Sequence, residues 1–218
     1  MWIQQFSAQV ERFVDLGYPA LLDMGSSDFK RALDPLVQHL NPGGYTDFST
    51  EKGIVPFVIV IASGAVPVER TLSLVRRGGK AAIERLYPKM QGDFKAIKAV
   101  QIPTGHAYLA VDIDRGKELL NVTPDAALAS IEAHGRSPLT IDEGIALLTH
   151  FPEFLQPNNC FSMLASRCGD RRVPAFWLSE GHPKLGWCWA GNVHTWLGSA
   201  SCASRIESVQ FPLMAYDQ

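Results

Sequence analysis

Apolar residues in the N-terminal segment recur at helical spacing. Ile3, Phe6, Val10, Phe13 and Val14 fall on one face, which predicts a helix over 2–16 that stops at Gly17. A second helix follows Tyr18-Pro19, capped by Ser26 or Ser27, with Phe29, Leu33, Leu36, Val37 and Leu40 on its apolar side. Pro35 kinks it or delays its start, and Asn41-Pro42-Gly43-Gly44 ends it.

The period then changes. Residues 53–62, GIVPFVIVIA, form a continuous apolar and β-branched run, the pattern of a strand covered on both faces. Ser63-Gly64-Ala65 turns the chain, and Pro67 opens a short helix over Val68, Leu72 and Val75 that closes at Arg76-Arg77-Gly78-Gly79. This strand–glycine–helix succession is not a nucleotide loop: SGAVPVER lacks that loop's glycine spacing and lysine. Further strands are expected within 94–103 and at 107–113, AYLAVDI. Asp112 and Asp114 read as a polar strand end turning at Asp114-Arg115-Gly116 rather than as a metal pair.

Two helices come next. Thr123 caps the first, Pro124 opens it, Leu128 and Ile131 face inward, and His134-Gly135 closes it. Thr140 and Glu143 make a capping box for the second, whose buried face is Ile141, Ile145, Leu148 and Phe151. His150 falls in its last turn, where a protonated ring is favoured. Beyond Pro152 come a short apolar element at 160–165 and a polar loop at 167–172. Val173–Ser179 and Leu185–Trp189 form a hairpin with a five-residue connection, and a loop runs over 191–202. Trp187 and Trp189 share one face of their strand and Cys188 the other.

The pattern predicts one α+β domain over 1–218, built on a mixed or antiparallel sheet, with residues 1–50 as a helical lobe. A chain of 218 residues with 46% hydrophobic content buries enough surface to fold without staples. Its net charge of −2 is well mixed, with no basic stripe for nucleic acid. The longest apolar run is too short to span a membrane, and no basic leader opens the N-terminus. A cytoplasmic protein with free thiols is expected.

Candidate chemistry concentrates in 158–205, which holds all four cysteines and four of the five tryptophans. Trp187, Trp189 and Trp196 offer apolar walls. Asn192, Arg167, Arg171, Arg172 and Arg205 offer polar contacts, the guanidinium groups suiting carboxylate or phosphate. His194 is the candidate acid/base, with Cys188 as a thiol partner and Asn192, Asp170 or Thr195 to orient the ring. No GxSxG elbow points to a serine hydrolase. The alternative is a structural zinc site drawn from Cys160, Cys168, Cys188, His194 and Cys202, serving a protein partner, although no CxxC or HxxxH pair supports it. The plainest reading is that these residues pack a core.

The runs SRCGDRRVPAFW and LGWCWAGNVHTWLGSASC, with LNVTPDAAL and SPLTIDEGIALLTHFP upstream, resemble an actinobacterial family carried as a domain of unknown function. The resemblance covers residues 100–205 best. It implies a bacterial, intracellular, stand-alone protein and assigns no activity and no site residue. The expectation is a soluble protein with a small-molecule site in 158–205, an enzyme of specialised metabolism using His194. It requires no cofactor, and zinc belongs to the alternative alone.

Overall fold

The computed structural model describes residues 2–40 and 48–212. The N-terminal helices are α1 (Trp2–Asp15) and α2 (Ser26–Leu33), the latter continuing as a 3-10 turn (Asp34–His39) from Pro35 onward. Pro35 therefore ends the α-helical hydrogen bonding, as its missing N–H requires. The predicted stop at 41–44 lies outside the described residues.

The first sheet contains β1 (Ile54–Ile61), and β1 is followed by α3 (Val68–Leu74), with Pro67 at its N-cap. A short strand, β2 (Ile83–Glu84), precedes β3 (Ala107–Asp114) and α4 (Pro124–Ala133). Thr123 caps α4, its side chain accepting from the Ala126 N–H at 3.3 Å. After β4 (Ser137–Pro138) comes α5 (Ile141–His150), then β5 (Cys160–Ser162), β6 (Arg172–Ser179), β7 (His182–Trp189), β8 (Leu197–Ser199) and β9 (Ser201–Val209). The class is α+β. The first sheet runs β1-β3-β9-β4 and is antiparallel throughout. The second runs β8-β5-β6-β7-β2, with parallel pairs at β8–β5 and β7–β2.

Side-chain alternation on β1 and β3 divides the core. Phe57, Ile59, Leu109 and Val111 pack with Phe6, Phe13, Phe29 and Leu33 of the N-terminal helices. Val58, Val60, Tyr108 and Ala110 pack with α5, whose other side meets Phe161, Ala175 and Phe176 of the second sheet. Helix α5 is thus held between two sheets, which explains why all its residues from Glu143 to Thr149 are buried. Gly144 sits at the closest approach: a Cβ there would lie 2.2 Å from Met163 Sδ. Strand β1 is an edge, and the buried side chain of Gln9 protects it. Gln9 donates to the Phe57 carbonyl (3.2 Å) and accepts from the Ile59 N–H (2.8 Å), satisfying backbone groups that have no neighbouring strand.

Four expectations change. The hairpin connection is two residues, Glu180-Gly181, both with positive φ (55° and 78°), so β7 begins at His182 rather than Leu185. Pairing of β6 and β7 extends from Arg172–Trp189 to Ser179–His182. Residues 191–202 are not loop throughout: Leu197–Ser199 and Ser201 onward join the two sheets, one after the other. Small residues disguise these strands because 197–202 are all buried where the two sheets crowd together. Within 94–103 only Lys95–Ala96 is extended, paired with Ser166–Arg167. His150 is not a protonated helix end. Its ring nitrogens are buried, and the ring stands edge-on to Phe13 at 4.3 Å. Burial, with Arg12 nearby, drives its pKa down to about 3, so it is neutral.

Candidate functional site

The residues of 158–205 do not converge on one point. Strands separate them. Cys160 is buried on β5, its Sγ donating to the Gln156 carbonyl at 3.5 Å. Cys168 lies in the polar loop and donates to Asp170 Oδ1 at 3.2 Å. Cys202 is buried on β9. Cys188 packs inward from β7, and burial pushes its thiol up to about 11, against the pull of Arg167. Such a thiol is protonated at neutral pH and is no ready nucleophile. His194 lies beside Trp196, ring centroids 5.2 Å apart, and its buried Nε2 has no hydrogen-bond partner among the described residues. Burial lowers its pKa. No hydrogen bond joins Cys188 to His194. Among the described residues no group of three or more His, Cys, Asp or Glu could hold a metal ion, so the proposed zinc ligands are not assembled.

The polar candidates have structural partners. Asp170 accepts from the Arg172 N–H at 2.9 Å, the bond that does most to hold its carboxyl down to about 2, and it also pairs with the Arg172 guanidinium. Arg172 also lies over Trp187 (4.6 Å) and Trp189 (4.8 Å), whose rings meet edge-on at 4.9 Å. This is an outer ladder on the hairpin, not a pocket wall. Arg171 pairs with Asp125 at 2.9 Å, Arg167 is half-buried near Asp125 and Cys188, and Asn192 is exposed in a turn. Arg205 is not available to a ligand. Its side chain is 4% exposed and forks onto Glu143 with 2.6 and 2.9 Å bonds, while also donating to Ser137 Oγ and the Pro138 carbonyl.

A cavity of about 360 Å³ lies elsewhere, where the C-terminal end of β1 meets the N-terminus of α5. Three segments build it. The turn after β1 brings Ser63, Pro67 and Glu69. The strap 91–96 brings Gln91, Phe94 and Lys95. The start of α5 brings Thr140, Ile141 and Asp142, with Tyr108 and Ser166 behind them. The local chemistry explains the arrangement. Thr140 Oγ1 accepts from the Glu143 N–H (3.3 Å), and Glu143 returns a carboxylate to the Thr140 N–H (2.7 Å). This capping box was legible in the sequence. The next free helical N–H, that of Ile141, donates to the buried Ser166 Oγ at 3.1 Å. Pairing of Lys95–Ala96 with Ser166–Arg167 ties the strap to the same corner.

Asp142 is the group this construction isolates. It is half-buried on the first turn of α5, and its Oδ2 accepts from the Ser63 N–H at 2.8 Å. Burial raises its pKa above the ordinary carboxylate value. The Ser63 backbone and hydroxyl offset part of that rise, the Glu143 charge adds to it, and Lys95 lowers it. Phe94, Ile102 and Val68 give the cavity apolar walls. The arrangement can hold a small molecule with both apolar and polar faces, and it can exchange a proton with it.

Of this site the sequence reading singled out only the frame. Thr140 and Glu143 were read as a cap and Ser63-Gly64-Ala65 as a turn, while Asp142, Lys95 and Glu69 went unremarked. The available signal was an acid in the first turn directly behind a capping box, facing the exit of the most apolar strand. Comparison with curated proteins and with solved structures finds no match. Residues 12–208 match the model of the family of unknown function DUF5701, and the chain belongs to that family.

Proposed function

We propose that the protein is an enzyme that binds a small polar organic molecule in the β1–α5 cavity and acts on it by proton transfer at Asp142. The observation that carries this reading is the half-buried Asp142 carboxyl, raised in pKa by burial, on the lining of a 360 Å³ cavity. A carboxyl moved toward neutral pH serves both as acid and as base. In this reading the Ser63 N–H holds Asp142 in orientation, and Thr140 and Ser166 give the molecule polar contacts. Lys95 and Glu69 on the rim select its charge. The acid/base role first assigned to His194 moves to Asp142, because the buried Nε2 of His194 has no hydrogen-bond partner among the described residues. The small-molecule site moves with it from 158–205 to the corner where Ser166 meets α5. A cytoplasmic setting is supported by four free cysteines.

The test is incubation of the purified protein with a mixture of small bacterial metabolites, followed by mass spectrometry. The expected result is at least one compound consumed by the wild type and left intact by Asp142→Asn. No compound changing, or equal turnover by Asp142→Asn, would overturn the proposal.

A further inference from the structure

A second concavity, of about 490 Å³, lies at the end of the second sheet that carries the Glu180-Gly181 turn. Trp177 and Trp196 line it, with Leu178, Cys160, Arg77 and Glu180. Both indoles are held by the fold. Trp177 lies so close over β7 that a Cβ on Gly186 would come within 2.1 Å of its ring. The Trp196 carbonyl accepts from the Cys160 N–H at 2.9 Å, and the His194 ring backs its indole.

The Lys80 ammonium donates to the Glu180 main-chain carbonyl and leaves the side-chain carboxylate of that residue outward. Arg77 is already paired with Glu153 at 2.9 Å. Among the described residues the exposed Glu180 carboxylate takes part in no ion pair. Glu180 also occupies the first turn position with φ 55°, where Asn, Asp or Gly is favoured and a longer side chain is strained. A carboxylate with no ion-pair partner among the described residues, on one lining with two tryptophans, is the chemistry that recognises an organic cation. The ring faces attract the diffuse positive charge and the carboxylate completes it.

We propose that this groove binds small organic ammonium compounds, with Trp177 and Trp196 as walls and Glu180 as counter-ion. The site is independent of the Asp142 cavity, and neither reading requires the other.

The experiment titrates isotope-labelled protein with choline and with its neutral isostere 3,3-dimethylbutan-1-ol at constant ionic strength. The indole N–H signals of Trp177 and Trp196 are followed. Choline is expected to shift both signals saturably, with the neutral isostere weaker by roughly tenfold. Glu180→Gln, an exposed change that leaves the core untouched, is expected to weaken choline binding about threefold. Equal binding of the two probes would reduce the groove to an unselective apolar surface and overturn the proposal. Unchanged affinity in Glu180→Gln, or shifts that do not saturate at these indoles, would also overturn it.

Discussion

The ion pair that joins α5 to the first sheet gives the sharpest stability prediction. Glu143 is wholly buried and accepts four hydrogen bonds: two from Arg205, one from the Tyr108 hydroxyl (3.0 Å) and one from the Thr140 N–H. Arg205→Met keeps the length of the side chain and removes the guanidinium. Glu143 is then left charged with two neutral donors, and Ser137 Oγ and the Pro138 carbonyl lose theirs. Leaving one member of a buried pair uncompensated costs about 3–5 kcal/mol. With a urea dependence of about 2 kcal/mol per molar, the unfolding midpoint falls by roughly 2 M. Glu143→Gln in the Arg205→Met background removes the orphaned charge and keeps a capping residue at the third helical position. The double variant is therefore expected to recover more than half of the loss. Urea unfolding followed by tryptophan fluorescence measures all four species of the cycle. A cost for Arg205→Met below about 1 kcal/mol would refute the reasoning, as would additive costs in the double variant.

Two further predictions concern groups whose protonation is set by burial, and a third concerns a close backbone approach. The Asp142 carboxyl has a folded pKa above its unfolded value, so the folded protein holds a proton that the unfolded chain releases. Wild-type stability relative to Asp142→Asn should therefore fall as pH rises through the window from about 4 to the raised folded value, then level off. Urea midpoints across pH measure this difference. His150 has the opposite sign. Its folded pKa of about 3 lies below the unfolded value, so stability is full above pH 6.5 and is lost as pH falls toward 3. The loss approaches about 5 kcal/mol and should be smaller in His150→Phe, compared in the same acid titration. Gly116 has φ 79°, and a Cβ there would lie 2.1 Å from the Ser199 carbonyl oxygen. Gly116→Ala should destabilise by roughly 3 kcal/mol, read from thermal or urea unfolding.

The helices and the apolar strands were legible because one period dominates each. Helix α1 shows its stripe at Phe6, Val10 and Phe13, and β1 and β3 show runs too apolar to be anything but covered. The caps at Thr123 and Thr140 were readable because a single side chain makes each one. Strands β8 and β9 were not, since Leu197-Gly198-Ser199 and Ser201-Cys202 carry loop composition. They are strands because Gly198 lets β8 pass close to Gly116, a contact between distant positions that leaves no local mark. His150 misled for the same reason: its place in the helix suggested a charge, while its surroundings, Phe13 from α1 included, remove it. The clustering of cysteine, tryptophan and histidine in 158–205 was real in sequence and dispersed in space. Strand alternation sends Cys188 inward and Trp187 and Trp189 outward. The cavity residues come from three segments that share no spacing, and only the packing of α5 between two sheets brings them together.

The most direct test of the Asp142 cavity is a fragment screen by two-dimensional NMR on the full chain. The account predicts that small polar fragments shift the amide signals of Ser63, Thr140, Asp142 and Ser166 together, and that Asp142→Asn weakens those shifts. Fragments that leave all four signals unmoved while binding elsewhere would contradict it.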